Sequence, residues 1–336
     1  MKKIFLFAAA AMVSLSSCVQ TEDVYTGGLN EIGFKTAAVR GAIEGTTFGG
    51  NMAVAAAWDG NADSENPYVD YFKTLATPEA TGARFTGEAG AGNAWSGNPP
   101  RYWPNAGNMQ FIALYPYECG KMNYAINATT GLTSYTVEGI ANEANQHDVL
   151  FSDLHAVEAP QTSAQPLLFH HAMALLQVNF KTSVPSEEVK IVSATVNNVI
   201  FDGDLTVTAG AAPAGAAPAK STASWNVTDS TPKNYTFKGV DATHKLTETL
   251  DEDATDLLVI PTAQTSMTIV YTFNGHKMTK TVKFNEGEGE GRNNYGDWEM
   301  GKRYIYNFTI GANEIQFTVS VDNWVDTPVN GGGITI

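Results

Sequence analysis

The sequence predicts an all-β protein made of β-sandwiches. Three observations carry this. First, apolar residues recur with period 2 in Thr268–Phe273, Tyr304–Ile310 and Ile315–Val321, segments rich in β-branched and aromatic residues. Second, Gly, Asn, Asp and Pro clusters separate these runs, and the 31 glycines suit a layout of many short strands and turns. Third, helical periodicity has few openings: only Glu79–Arg84 and Ala141–Gln146 offer a turn or two.

The chain starts with Lys2 and Lys3, then an unbroken apolar run, Ile4–Val13. A bilayer-spanning helix needs about 20 apolar residues, so the run reads as a secretory signal. Small residues lead to Leu15-Ser16-Ser17-Cys18, which resembles a lipobox, the motif whose cysteine is lipidated and becomes the new N-terminus. Residues 1–17 are thus expected to be a lipoprotein signal peptide, with Cys18 as the lipidation site. The other cysteine, Cys119, is left without an intramolecular partner, so no disulfide framework is expected.

Asn30–Arg40 (NEIGFKTAAVR) places Ile32 and Phe34 two apart among polar or small residues, a candidate first strand. Phe111–Tyr117 reads as a central strand closed by Pro116. Trp103, Trp298 and Trp324 read as core side chains. Leu167–Phe180 is the longest apolar stretch after the signal; its end alternates, so it reads as one long strand. The polar, Pro-containing Thr182–Glu188 is the best domain boundary, giving an N-terminal sandwich at 24–184 and a C-terminal one at 185–336. Ala209–Lys220 (AGAAPAGAAPAK) has nothing large to bury and reads as a surface loop. Leu257–Ile260, Ile269–Phe273 and Tyr304–Ile310 should form the C-terminal core.

Net charge is −15, which argues against nucleic acid as a partner, because phosphate binding needs a basic face. No nucleophile elbow, phosphate loop or H-E-x-x-H motif occurs, so neither catalysis nor a cofactor is expected. His170 and His171 are adjacent; on a strand they point to opposite faces, so packing or hydrogen bonding is expected rather than shared metal ligation. Asp59–Asp70 has oxygens at calcium-loop spacing, but Ser64 stands where the turn needs glycine, and a solvent loop is the better reading. Asp251–Asp253 and Glu286–Glu290 read as solvated acidic loops. Trp58, Trp95 and Trp225 lie in loop-like contexts and could form an aromatic binding platform.

Several segments, in order and spacing, resemble the Mfa-like fimbrillin family, the pilins of Bacteroidales type V pili. They are Arg101–Pro104, Phe111–Tyr117, His147–Phe151, Leu167–Leu176, Leu257–Pro261, Trp298–Tyr304 and Asp322–Trp324. The resemblance implies two tandem transthyretin-like β-sandwich domains and a pilus role. It implies other pilus subunits as partners, a surface or outer-membrane location through the lipid, and adhesion to a host protein or glycan. Val19–Asp23, just past Cys18, resembles the export tag of surface lipoproteins, though a polar tether reads equally well. Asp229-Ser230-Thr231 resembles a short O-glycosylation signal.

In that family a protease cuts shortly after the lipidated cysteine. The match here is Arg40-Gly41, before a Gly-rich stretch, making 18–40 a tether with a removable first strand. Strand removal opens an apolar groove that templates strand addition. The donor candidates are Val319, Val321, Trp324, Val329, Ile334 and Ile336, with Gly331–Gly333 as a hinge. The alternative is a tip adhesin or surface glycan-binding lipoprotein that does not polymerise.

Overall fold

The computed structural model describes residues 30–36, 49–60, 68–72, 82–87, 94–144, 146–210, 220–251, 256–263, 266–284, 296–312 and 314–324. These are almost entirely β, in four sheets. The first sheet holds β1 (Gly33–Thr36), β2 (Gly50–Trp58), β3 (Val69–Asp70), β4 (Ala83–Gly87), β5 (Ala94–Gly97), β6 (Asn108–Tyr115), β9 (Leu150–Ser152), β10 (His155–Glu158), β11 (Gln165–Leu167) and β12 (Phe169–His171). The second holds β7 (Lys121–Asn127), β8 (Gly131–Ala141), β15 (Asp202–Thr208) and β16 (Thr222–Asn226). The third holds β13 (Ala174–Thr182), β18 (Leu257–Val259), β21 (Lys302–Ile310) and β22 (Ile315–Asn323). The fourth holds β14 (Val189–Val199), β17 (Lys233–Thr236), β19 (Ser266–Phe273) and β20 (His276–Lys283).

The first sheet runs β11-β1-β5-β4-β2-β6-β9-β12, with β3 on β2 and β10 on β6. A flat sheet would put β1 and β6, four places apart, roughly 19 Å from each other. Yet the Phe34 and Phe111 rings are 5.0 Å apart. The sheet therefore curls around an interior that contains Ile32, Phe34, Val54, Phe72, Phe85, Trp95, Trp103 and Phe111. Its other face packs on the second sheet through Ala53, Ala55, Ala57, Ile112 and Leu114, against Tyr135, Val137, Leu205 and Val207. Burial on both faces explains why β2 and β6 read as continuous apolar runs. The alanine row on β2 lets the two sheets approach closely.

The third and fourth sheets form a sandwich. Phe180, Tyr304, Tyr306, Phe308 and Ile310 face Val189, Ile191, Val196, Met267, Ile269 and Tyr271. The alternation in Thr268–Phe273 and Tyr304–Ile310 thus reports one buried face each, as expected. Trp103, Trp298 and Trp324 are all buried.

Two readings need correcting. Leu167–Phe180 is not one strand but parts of β11, β12 and β13. At the break, the Ala172 N–H donates to the Val149 carbonyl (2.8 Å), and the chain passes from the first sheet to the third. Ala83 and Arg84 lie in β4, not a helix; Ala141–Gln146 does hold one turn, where the Gln146 N–H donates to the Asn142 carbonyl (3.1 Å).

Strand pairing also does not follow the division expected at 184. β13 precedes that point, yet pairs with β21 in parallel from Leu175↔Arg303 to Thr182↔Ile310. β15 follows it, yet pairs with β8. The polar stretch Thr182–Glu188 is an inter-strand turn inside the sandwich, because β13 and β14 on either side of it both supply core residues.

Candidate functional site

The first strand occupies a slot rather than an edge. β1 pairs antiparallel with β5 (Phe34↔Trp95) and parallel with β11 (Phe34↔Gln165). Just before it, the Ile32 N–H donates to the Arg101 carbonyl (2.7 Å), and the Trp103 N–H donates to that of Asn30 (3.0 Å). Ile32 and Phe34 are fully buried. The Phe34 ring meets Phe85 edge-on at 4.9 Å as well as Phe111. The short β1 is thus the middle of a local three-strand ladder, and both apolar side chains point into the curled interior.

The far wall of the slot was not foreseen. β11 contains Pro166, which cannot donate to a ladder, and Pro in a strand marks an edge. β11 is indeed the terminal strand of the sheet. Gln165 on β11 lies 3.1 Å, Oε1 to Nε2, from His155 on β10. His155 is buried, stacked on Phe111, and burial pushes its pKa below the ordinary histidine value, with the Gln165 hydrogen bond opposing. Pro166 was the signal available in the sequence.

Of the donor candidates named from the sequence, Val319 and Val321 lie on β22 of the third sheet and Trp324 directly follows it. β22 is an edge strand, paired with β21 from Ile310↔Ile315 to Lys302↔Asn323. Phe317 is buried and Val319 half-buried, while Val321 is 46% exposed. Trp324 is buried, and its ring stacks on His171 at 3.8 Å and 14°. Its N–H donates to the Gly301 carbonyl (2.8 Å). The His171 Nδ1–H donates to an Asp148 carboxylate oxygen (2.8 Å). Trp324 is therefore clamped between elements far apart in sequence. Cys18, Arg40, Gly41, Val329, Ile334 and Ile336 lie outside the described residues.

The remaining candidate groups have structural settings. His170 turns the opposite way from His171, and its Nε2–H donates to Asp153 Oδ1 (2.9 Å). That same oxygen accepts from the Ser221 N–H (2.6 Å). Cys119 is buried, and burial pushes its thiol up to about 12, away from nucleophile character. Asp59 accepts from Asn108 Nδ2 (2.7 Å), and Asp70 from the Tyr124 hydroxyl (3.1 Å). Among the described residues, no group of three or more His, Cys, Asp or Glu side chains could hold a metal ion.

Trp58, Trp95 and Trp225, which could have formed an aromatic platform, do not make an exposed one. Trp95 is buried in the interior of the first sheet. Trp58 packs beside that core and donates from Nε1 to the Ala106 carbonyl (2.8 Å). Trp225 packs against the second core and donates to the Ala172 carbonyl (2.8 Å).

The fimbrillin-like family model matches residues 43–324. The chain belongs to the fimbrillin-like family. A fimbrial role at the cell surface follows from that membership. Two crystal structures share the fold. One, described as a cell adhesion protein from Bacteroides uniformis, is 15% identical with a TM-score of 0.52, covering 89% of this chain and 99% of that one. Another so described, from Bacteroides ovatus, is 15% identical with a TM-score of 0.50 and the same coverage. No curated protein matches the chain by sequence.

Proposed function

We propose that this fimbrial subunit is anchored as a lipoprotein through Cys18, is cut at Arg40-Gly41, and then polymerises by donor-strand exchange. The observation that carries the proposal is the setting of β1. It sits between β5 and β11, with Ile32 and Phe34 filling a core, and Arg40 follows it closely in sequence. Losing β1 leaves two strand edges facing each other across an apolar slot, a state that favours strand addition. Burial of each large apolar side chain contributes about 1.5 to 3 kcal/mol, so a donor presenting alternate apolar residues recovers what β1 gave.

Energetics select the donor. Recruiting Val319 and Val321 requires peeling β22 from β21, at about 0.5 to 1.5 kcal/mol per backbone hydrogen bond, and recruiting Trp324 also unstacks it from His171. Residues 325–336, with Val329, Ile334 and Ile336, can serve as donor while β22 stays paired with β21, and are the donor proposed.

The test compares the lipid-free secreted form, its Arg40→Ala variant and a version lacking Val329–Ile336. Each is treated with an Arg-specific protease and sized by electrophoresis without boiling. Ladders are expected from the first alone. Ladders from Arg40→Ala would rule out the cleavage site, and ladders from the truncated form would rule out the donor.

A further inference from the structure

The fourth sheet has a charge character opposite to that of the molecule. The chain carries 35 Asp and Glu against 20 Lys and Arg. Yet the strands of this sheet contain Lys190, Lys233, Lys277, Lys280 and Lys283, and no Asp, Glu or Arg. Lys190 pairs with Glu188, and Lys233 with Glu143. Lys277 and Lys280, both exposed on β20, make no ion pair among the described residues.

β20 is the free edge of the sheet, delivered by a two-residue turn in which Asn274 and Gly275 both have positive φ (48° and 79°). The outward row across β19 and β20 is Thr272↔Lys277, Val270↔Thr279, Thr268↔Thr281 and Ser266↔Lys283. Further in, Thr195 and Thr236 share a hydrogen bond (2.8 Å), and Asn197 Nδ2 donates to Ser266 (3.0 Å) and Thr268 (3.1 Å). The outward face is thus a field of hydroxyls and amides with Lys277 and Lys283 at its rim, while Lys280, opposite the buried Ile269, projects from the other side of the edge strand. Lys277 and Lys283 stand roughly 20 Å apart along the strand, too far for one small anion to bridge.

We propose that an extended anionic polysaccharide, sulfated or carboxylated, binds along the free edge of β20, with Lys277 on the outward side and Lys280 on the other side of the strand supplying charge, and Thr279 and Thr281 bonding sugar hydroxyls. The outward residues include no Trp, Tyr, Phe, Met or Arg, the types that anchor protein interfaces. They also lack the arginines and aromatic faces that nucleic-acid binding uses. The acidic remainder of the molecule repels a polyanion and confines it to this sheet.

The full chain in mild detergent is titrated with heparin, hyaluronan, neutral dextran and duplex DNA at low ionic strength. Binding is expected to heparin or hyaluronan, with the pair telling sulfate from carboxylate. It should fade as salt shortens the screening length. Lys277→Glu/Lys280→Glu should weaken it at least about tenfold. Lys302→Glu, on the third sheet, should leave it unchanged; thermal unfolding checks that each variant is folded, and Lys277→Gln/Lys280→Gln gives a milder second pair. No binding to either polyanion, equal binding of dextran or DNA, or a charge-reversed variant that binds like the parent would overturn the proposal. So would a self-association that the variant abolishes while polysaccharide binding is absent, because the face would then belong to a second copy.

Discussion

At the scale of single residues, Phe308 shows how a period-2 pattern becomes energy. It is fully buried, stacked near Phe180 (5.6 Å) and Tyr306 (6.3 Å), with Phe317 at 5.7 Å. Truncating such a ring loses its transfer energy and leaves a cavity that rigid neighbours on β13, β21 and β22 cannot close. Phe308→Ala should therefore destabilise by about 3 to 5 kcal/mol, read from the shift in denaturation midpoint. A shift no larger than that of the exposed Val321→Ala would contradict the assigned facing. The two histidines make a complementary point. Adjacent residues on one strand were expected to diverge, and His170 and His171 do, each to its own carboxylate. What the sequence could not disclose is that His171 also carries a tryptophan ring from β22's far end, because stacking partners 153 positions apart leave no local trace.

At the scale of elements, legibility followed strand length. β19, β21 and β22 are eight or nine residues long and each shows a clean alternation. β9, β11 and β12 have three residues each, too few to show a period, and so the passage from β11 to β13 read as one strand. β1 is only four residues long, but Ile32 and Phe34 announced it because both flank a glycine among polar neighbours. What remained hidden was its position, since nothing local says that a short strand will lie inside a sheet rather than at its rim. That position makes a prediction. Phe34→Ala removes the ring that touches Phe85 and Phe111, weakening the hold on β1. Amide exchange should then quicken at β5 and β11, the two strands that pair with it, while β13 and β21 keep their protection. Uniform acceleration across all four strands would mean that β1 is an integral part of global stability and not a locally releasable piece.

At the scale of the whole molecule, the chain is interleaved. The core between the first and second sheets takes in Leu205, Val207, Leu258, Ile260 and Trp324 along with residues before 184. The sandwich core takes in Ala174, Leu176, Val178 and Phe180. A chain cut at 184 therefore leaves each half without strands that the other holds. The first fragment keeps β7 and β8 but loses β15 and β16; the second keeps β21 but loses its parallel neighbour β13. β21 would then present a free edge where β13 ran alongside it, and the Phe180 stack on Phe308 would vanish. Fragments 24–184 and 185–336 made separately should show no cooperative thermal transition in circular dichroism. Made together in one cell, they should associate and recover one. The physical reason is that nearly all the pairing lost is backbone ladder and fully buried side chain, and unpaired ladder in an apolar setting is among the costliest defects a β-protein can carry. Cooperative melting of each isolated fragment would show that the sheets tolerate missing members, and that the connection through β13 and Trp324 joins two bodies that fold without it.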